Sequence, residues 1–412
     1  MSKICVVGLG YIGIPTAVMF SSKGFEVVGV DIRNHVVQSI NNNILPIEEK
    51  GLDELFENHP FKASITVIPS DIYIICVGTP IDSNNNVDLE AVIQASKSIA
   101  PFVKKNDLII LESTVSPGTT NDIVLPILEK NNLKAGVDFN LVHSPERVIP
   151  GNLIYELKNN DRIMGGISKD GAIKAKTLYK NFVSGNIYLT NALTAETSKL
   201  MENTYRNVNI AFANEVATIC EKLKINSWEV IELANKHPRV NILNPGPGVG
   251  GHCIPVDPWF IVEKAPLQSQ LIKISLEKNR SMPTYTVNKL FNIVQRKTEL
   301  NICLLGCTFK ANTDDIRESP TFEIYNLLKK ENNVNLYDPH VKGYHEQSLY
   351  KTCENADAIV LLVDHKEFAD IDYNKLFNIM TSNIILDCKN FISKEIATAA
   401  GFSYHLLGDG SL

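Results

Sequence analysis

Short apolar runs alternate with amphipathic segments over the first third of the chain. Runs that are apolar at every position, rather than at alternate positions, are typical of strands covered on both faces of a parallel sheet. Their alternation with helical segments predicts a doubly wound α/β domain. The predicted strands are Ile4–Val7, Val27–Val30, Ile65–Ile68, Ile72–Val77, Leu108–Leu111 and Leu141–His143.

A long polar-apolar segment without glycine or proline follows at Thr194–Leu223. Its apolar residues recur at roughly helical spacing, which predicts a single long helix with Thr194 as its N-cap. Further helices are predicted at Ser227–Ala234 and Ser269–Gln295. The apolar positions of the long helix are Ala195, Leu200, Ile210, Ala213 and Val216.

A second α/β pattern begins at Glu299, with a helix predicted at Thr321–Lys330. We therefore expect two doubly wound Rossmann-like domains joined by a helical central domain with a long spine helix. The expected boundaries are 1–190, 191–297 and 298–412. The predicted strands of the last domain are Ile302–Leu305, Val334–Tyr337, Ala358–Val363 and Ile384–Asp387.

Composition narrows the possible partners. The chain has 412 residues, 44% of them hydrophobic, and a formal charge of −6, which argues against nucleic acid or an anionic membrane as the main partner. No apolar stretch reaches the roughly 18 residues that a membrane span requires. The eight cysteines form no C-x-x-C pair, so no metal site is expected and a reducing, cytoplasmic setting is favoured.

The glycines that follow the first predicted strand indicate a dinucleotide site. Gly8, Gly10 and Gly13 have the spacing that allows a tight turn, close approach of the backbone to a pyrophosphate, and close packing of helix on strand. Asp31 ends the second strand, where a carboxylate binds ribose hydroxyls and repels a 2′-phosphate. NAD is therefore favoured over NADP. Arg33 is either part of this site or an exposed residue at a helix start.

Two further segments follow predicted strands, Gly78-Thr79-Pro80 and Glu112-Ser113-Thr114. The carboxyl edge of an open α/β sheet is where ligands bind, so these segments are candidates for cofactor contacts. Ordinary loop structure is the alternative.

The segment from Gly250 to Phe260 places Cys253 in a glycine turn, four residues before Asp257. A thiol beside a nicotinamide cofactor suggests that an aldehyde is trapped and oxidised to a thioester. Lys199 and Asn203 are four residues apart, on one face of the predicted helix, with Arg206 nearby. They are candidates for proton transfer and oxyanion binding. A solvated helix face and a buried structural thiol are the alternatives.

Several basic residues lie in short motifs of this acidic chain. Arginine grips phosphate in a bidentate manner, so a pyrophosphate-bearing substrate would account for them, and surface salt bridges are the alternative. These residues are Arg147, His237, Arg239, Lys310, Arg317 and Lys389.

The order of these motifs resembles the UDP-glucose/GDP-mannose dehydrogenase family over essentially the whole chain. Within the family, the segments around Glu146, Asn207 and His237 are most similar to the branch that acts on UDP-N-acetyl-D-mannosamine. Pro150 stands where the UDP-glucose branch has a second acid. The landmarks are Gly8–Gly13, Ser113-Thr114, Pro145-Glu146, Lys199 with Asn203, Gly250–Cys253 with Asp257, Phe309-Lys310 and Arg317–Pro320.

The resemblance implies oxidation of C6 of a UDP-sugar to a carboxylate with two NAD, by a homodimer paired through the central helix, for a cell-surface polysaccharide. The implied catalytic residues are Cys253, Lys199, Asn203, Asp257 and Glu146. The implied cofactor residues are Gly8, Gly10, Tyr11, Ile12, Gly13, Asp31, Arg33, Thr79, Pro80, Thr114 and Arg317. The implied substrate residues are Arg147, Val148, Lys199, Asn203, Arg206, His237, Arg239, Gly250, Phe309, Lys310 and Lys389.

Alternatives remain open at this point. The sugar is UDP-N-acetylmannosamine or another one, such as UDP-GlcNAc, UDP-GalNAc or UDP-glucose. The first proton goes to Lys199 directly, or through a water with Asp257. A two-electron hydroxyacid dehydrogenase would share the layout without needing Cys253, and a NAD-binding regulator would show no turnover.

Overall fold

The computed structural model describes residues 2–129, 132–148 and 151–411, and the chain divides into two compact units. Unit 1 holds Met1–Glu202 and Trp259–Pro266, and unit 2 holds Asn203–Pro258 and Leu267–Leu412. Each unit is organised around its own sheet, which is mostly parallel in unit 1 and fully parallel in unit 2.

Unit 1 is built on an eight-stranded sheet in the order β3-β2-β1-β4-β5-β6-β7-β8. Neighbouring strands are parallel except β6 and β7. The strands are β1 (Lys3–Val7), β2 (Glu26–Val30), β3 (Lys62–Ser64), β4 (Ile72–Ile75), β5 (Leu108–Leu111), β6 (Asn140–His143), β7 (Arg162–Gly166) and β8 (Ile187–Asn191).

Helices cover both faces of this sheet. Successive strand residues point to opposite faces, so each buried strand contributes to two hydrophobic cores. In β1, Ile4 and Val6 join one hydrophobic core, whereas Cys5 and Val7 join the other. The helices are α1 (Gly13–Ser21), α2 (Asn34–Asn41), α3 (Leu52–Asn58), α4 (Glu90–Ile99), α5 (Leu125–Leu128), α6 (Leu153–Asn159) and α7 (Lys169–Tyr179), with a 3₁₀ turn at Ala100–Phe102 and a π-helical turn at Thr120–Val124.

The middle of the chain is helical, and α8 runs unbroken through 32 residues. The proline in α11, Pro283, is buried inside that helix. The helices are α8 (Ala192–Leu223), α9 (Ser227–Ala234), α10 (Asp257–Lys264) and α11 (Gln270–Val294).

The sheet of unit 2 has five parallel strands in the order β10-β9-β11-β12-β13. The strands are β9 (Asn301–Leu305), β10 (Asn333–Tyr337), β11 (Ala358–Leu361), β12 (Ile384–Asp387) and β13 (Ser403–Leu406). The helices are α12 (Pro320–Leu328), α13 (Leu349–Thr352), α14 (Tyr373–Ile379) and α15 (Lys394–Ala399), with a 3₁₀ turn at Lys366–Asp370.

The turn that follows the first strand is held by the same pair of hydrogen bonds in both units. Gly8 N–H donates to Val30, and the next amide donates to Asp31. In unit 2, Gly306 N–H donates to Tyr337, and the next amide donates to Asp338. Asp338 is fully buried and also accepts from His365, so this carboxylate fixes the turn of its own unit.

The predicted fold class is confirmed, and two local predictions are wrong. The strand expected at Ile65–Ile68 lies three residues earlier, at β3. It is an edge strand, so its polar residues Lys62 and Ser64 can be partly exposed to solvent. Thr194 does not cap α8. That helix begins at Ala192, and the side chain of Asn191 accepts the N–H of Thr194 at 2.8 Å.

The structure also bears on membrane-spanning segments and on disulfide bonds. No helix in the described ranges combines the length and the apolar character needed to cross a bilayer. The eight cysteines all lie in those ranges and form no disulfide bond.

Candidate active site

The glycine turn of unit 1 is shaped by close contacts. Gly8 has a φ of +97°, and a side chain there would meet the Cys76 carbonyl oxygen at 2.7 Å. A side chain on Gly13, which starts α1, would overlap the Gly8 carbonyl. A side chain on Gly10 would meet no atom within 4 Å. The backbone at Gly10 is therefore open to a pyrophosphate, and the turn fits a dinucleotide.

Asp31 lies beside this turn and is tied to it. Its carboxylate accepts the Leu9 N–H at 2.9 Å and pairs with the Arg33 guanidinium at 2.9 Å. Burial alone would raise the pKa of Asp31, but the hydrogen bonds from Arg33 and Leu9 lower it below its usual value. Asp31 is thus ionised at neutral pH and suited to ribose hydroxyls. Arg33 immediately precedes α2 and is half exposed, as expected of a residue at a helix start, and its guanidinium is directed at Asp31.

The two loops expected at the sheet edge lie together. The Thr79 hydroxyl donates to the Thr114 carbonyl at 2.6 Å, and the Ser113 hydroxyl donates to the Val77 carbonyl at 2.7 Å. Pro80 follows directly, and Tyr11 of the glycine turn is 44% exposed. The contacts bring Thr79 and Thr114 together, and the parallel order β2-β1-β4-β5 places Asp31, the glycine turn and both loops at the same edge of the sheet.

Glu146 is held by a buried ion network that sequence reasoning missed. Its carboxylate accepts from Arg162 at 2.5 Å, and Arg162 also pairs with Glu112 at 3.3 Å. Glu112 accepts the Tyr179 hydroxyl at 2.5 Å and the Cys76 thiol at 3.2 Å. One guanidinium thus orients two carboxylates.

Burial and the neighbouring charges shift the pKa values of Glu112 and Arg162 in this network. Burial raises the pKa of Glu112. Burial alone would lower the pKa of Arg162, but Glu146 and Glu112 more than offset that effect and raise it. Arg162 therefore remains a cation, and it supplies the fixed charge against which Glu146 is positioned.

Arg147 is turned toward α8. Its guanidinium pairs with Glu202 at 2.7 Å and donates to the Asp161 carbonyl at 3.1 Å. Val148 packs against the hydrophobic core of unit 1. Pro150, which departs from the UDP-glucose pattern, lies outside the described residues.

Lys199 is buried on α8, with 8% of its surface exposed. His143, at the end of β6, is fully buried. Burial lowers the pKa of His143 to about 3, and the charge of Lys199 acts in the same direction. His143 is therefore neutral beside this lysine at every pH at which the enzyme would work.

His143 makes unit 1 sensitive to acid. Unfolding returns its pKa to about 6.5, so below that pH the unfolded chain binds a proton that the folded chain refuses down to about pH 3. We expect the unfolding free energy of the wild type to fall about 1.4 kcal/mol per pH unit faster than that of His143→Leu below pH 6. Urea titrations at several pH values, followed by circular dichroism, measure this difference. Parallel curves for the two proteins would contradict it.

In unit 2, Asn203 and Asp257 are in direct contact. The Asn203 amide donates to the Asp257 carboxylate at 2.5 Å, and the Asn203 oxygen accepts from Arg206. The carbonyl of Cys253 accepts the N–H of Asp257 at 2.8 Å, so the cysteine lies in the turn that leads into α10. Three of the predicted catalytic residues therefore share one small region.

The glycine turn before Cys253 packs on a predicted substrate residue. A side chain on Gly250 would meet Phe309 Cβ and the Glu318 carbonyl oxygen, each at 2.7 Å. Gly251 has a φ of +82°, faces the Phe309 ring and donates its N–H to the Arg317 carbonyl. Glycine at both positions follows from this close packing.

The remaining predicted residues of unit 2 are spread over three loops. His237 and Arg239 are exposed after α9, and Lys310 follows Phe309. Arg317 pairs with Asp315 at 2.5 Å, whereas Lys389 pairs with Asp364 at 3.4 Å. Arg317 and Lys389 thus have carboxylate partners within their own unit.

Comparisons with known proteins identify the family of this chain. Three models of the UDP-glucose/GDP-mannose dehydrogenase family match the chain: the NAD binding domain over residues 2–183, the central domain over 193–281 and the UDP binding domain over 303–394. Together these models span most of the chain.

Individual relatives match over nearly their whole length. UDP-N-acetyl-D-mannosamine dehydrogenase of Methanocaldococcus jannaschii is 44% identical, over 99% of this chain and 97% of its own. NDP-N-acetyl-D-galactosaminuronic acid dehydrogenase of Ralstonia solanacearum is 41% identical, over 95% and 96%. The structure of UDP-D-ManNAc dehydrogenase from Pyrococcus horikoshii matches with a TM-score of 0.92 at 41% identity, over 100% of both chains. The chain belongs to the UDP-glucose/GDP-mannose dehydrogenase family and is an NAD-dependent nucleotide-sugar dehydrogenase.

Proposed function

We propose that this enzyme oxidises C6 of UDP-N-acetyl-D-mannosamine to the carboxylate and uses Cys253 as a covalent nucleophile. The observation that carries the proposal is the cysteine turn itself, closed by glycines and hydrogen-bonded to Asp257, whose carboxylate binds Asn203. We choose this sugar because relatives named UDP-N-acetyl-D-mannosamine dehydrogenase are 41–44% identical over almost the whole chain.

The first half-reaction converts the C6 alcohol into an aldehyde. NAD, when bound, would supply the hydride acceptor, and one NAD would be used in each of the two half-reactions. Lys199, directly or through a water with Asp257, takes the hydroxyl proton, and its buried position on α8 keeps bulk water away from this transfer. Asn203 stabilises the developing oxyanion, a role typically worth about 3 kcal/mol per donor.

The second half-reaction passes through the thiol. Cys253 sulfur adds to the aldehyde carbon, and the thiol proton passes to the aldehyde oxygen to give a thiohemiacetal. Loss of the second C6 hydride to the nicotinamide acceptor, and of the hydroxyl proton to solvent, then leaves a thioester. Water, oriented by Glu146, Asn203 or Asp257, attacks the thioester carbon and releases the carboxylate and the Cys253 thiol. The carbon thus loses two hydrides and gains one oxygen from water.

The UDP-sugar and NAD are assigned to separate sets of residues. We assign NAD to domain 1–190, the catalytic lysine, asparagine and cysteine to domain 191–297, and UDP to domain 298–412. Arg317 of the last domain reaches the cofactor in this proposal. The proposed substrate contacts are Arg147, Val148, Lys199, Asn203, Arg206, His237, Arg239, Gly250, Phe309, Lys310 and Lys389.

The enzyme is proposed to be a homodimer paired through α8. Tyr205, Phe212 and Ile219 recur every seven residues on this helix and are 65%, 53% and 49% exposed. An exposed apolar stripe of this kind is typical of a helix that packs against a partner. The acid product is proposed to enter a cell-surface polysaccharide.

The stoichiometry of NADH tests both the chemistry and the sugar. With excess NAD and limiting UDP-N-acetyl-D-mannosamine, we expect two NADH per sugar, measured by NADH absorbance and by mass spectrometry of the product. UDP-GlcNAc, UDP-GalNAc and UDP-glucose are run in parallel, and we expect at least about tenfold lower kcat/KM for each, or about 1.4 kcal/mol of discrimination. One NADH per sugar would contradict the thioester route.

A second candidate is the same oxidation of an N-acetylgalactosamine nucleotide. A relative at 41% identity is named for the galactosaminuronic acid product, which favours this alternative over UDP-glucose. Preference for UDP-GalNAc in the same panel would move the substrate assignment and leave the mechanism in place.

A further inference from the structure

The loop that carries Cys253 is held by buried asparagine side chains that the reaction scheme does not use. This loop joins α9 to α10, and Gly248 and Gly251 in it have φ of +142° and +82°. A loop rich in glycine loses much conformational entropy on ordering, so it requires contacts that fix it.

The first contact lies midway along the loop, where its glycine-rich segment begins. Asn214 of α8 is fully buried, and its side-chain oxygen accepts the N–H of Gly246 at 2.9 Å. Its amide donates to the side-chain oxygen of Asn279 at 2.9 Å. Asn279 of α11 in turn donates to the backbone carbonyl of Asn207 at 3.0 Å. The three asparagines thus form a chain of hydrogen bonds between α8, α11 and the loop.

The second contact lies next to the nucleophile. Asn207 is fully buried, and its amide donates to the carbonyl of Ile254 at 3.1 Å. Ile254 follows Cys253 directly. Asn207 also lies four residues after Asn203 and eight after Lys199, on the face of α8 that bears the proposed catalytic groups.

We propose that Asn207 and Asn214, bridged by Asn279, are positioning residues that fix the thiol of Cys253 for attack. The proposal rests on the proposed function, since it assumes that Cys253 is the nucleophile. Asn214 fixes Gly246 and Asn207 fixes the peptide beside the sulfur, so the glycine-rich segment between these two contacts has little freedom. Misplacement of a reacting group by about 1 Å can cost about 100-fold in rate.

The test uses Asn207→Ala and Asn214→Ala in the full-length enzyme. We expect kcat for UDP-N-acetyl-D-mannosamine to fall about 10- to 100-fold, with an unchanged Kd for NAD. We also expect the rate at which iodoacetamide alkylates Cys253, measured by mass spectrometry of its peptide, to change at least about threefold. Asn207→Ser and Asn214→Ser serve if either alanine variant fails to fold.

The matched control is Asn332→Ala. Asn332 lies in the same unit and makes three side-chain hydrogen bonds, to Lys297, Leu300 and Leu328. A merely structural role for Asn207 and Asn214 predicts that their variants match Asn332→Ala in kcat and alkylation rate at equal thermal stability. That outcome overturns the proposal.

The two proposals can fail separately. If Cys253→Ala still forms the acid, the proposed mechanism is wrong and the positioning role falls with it. If Cys253→Ala is inactive while the Asn207 and Asn214 variants keep wild-type kcat and alkylation, only the positioning role is overturned.

Discussion

Cys253→Ala is expected to abolish formation of the sugar acid, with a loss of about 10⁴-fold or more. Without the thiol, the aldehyde has no sulfur to add to, so neither the thioester nor the second NADH forms. Oxidation of the alcohol requires only the base and the cofactor. We therefore expect at most one NADH per active site in a single turnover, followed by the aldehyde instead of the acid as the detectable product.

Rapid-mixing absorbance of NADH and mass spectrometry of the quenched sugar measure this result. Cys220→Ala is the matched control, since Cys220 is a buried thiol of α8 that no step uses. It should retain wild-type stoichiometry of two NADH per sugar. If Cys253→Ala released the acid at a rate near that of the wild type, a two-electron route with a separately hydrated aldehyde would replace the thioester.

The chain pattern predicts the fold well where strands are buried on both faces. Leu108–Leu111 and Ile384–Asp387 were predicted with the bounds that the structure has, because nearly all residues of these two strands are buried. Three strands, β7, β8 and β13, were not predicted. β7 contains Gly165 and Gly166, and Tyr188 of β8 is 57% exposed, so neither strand carries a distinctive pattern.

The candidate site was predictable where its residues are close in sequence. Cys253 and Asp257 share a turn, and Lys199 and Asn203 share a helix face, so spacing alone groups each pair. The Asn203–Asp257 contact joins residues 54 positions apart, which no periodicity reveals. The resemblance to a family supplied that grouping before the contact was seen.

The residues that hold the site in place, Asn207 and Arg162, were not predicted from the sequence. Asn207 follows Asn203 by one helical turn, so its spacing offered a signal that went unused. Arg162 offered none, because a lone arginine at the start of a glycine-containing strand is ordinarily read as exposed. Its burial between Glu112 and Glu146 follows only from the way β7 lies beside β6 in the sheet.

Arg162→Met is expected to destabilise unit 1 by about 3–5 kcal/mol. The substitution leaves Glu112 and Glu146 without the cation that offsets their buried charge, and 4% of the Arg162 side chain is exposed, so water cannot replace it. The unfolding midpoint in urea, followed by circular dichroism, measures the loss. We expect partial recovery of the variant at lower pH, because protonation of the carboxyls removes the unpaired charge.

A double-mutant cycle separates the ion pair from simple loss of packing. Glu112→Gln keeps the shape of the side chain and removes its charge, so Arg162→Met with Glu112→Gln should be more stable than the sum of the two single changes predicts. Arg296→Met is the exposed control, since Arg296 pairs with Asp357 at 3.3 Å and is 49% exposed; we expect it to cost less than about 1 kcal/mol. Additive effects in the cycle would mean that Arg162 acts through its packing on the Tyr179 ring, 4.8 Å away, rather than through its charge.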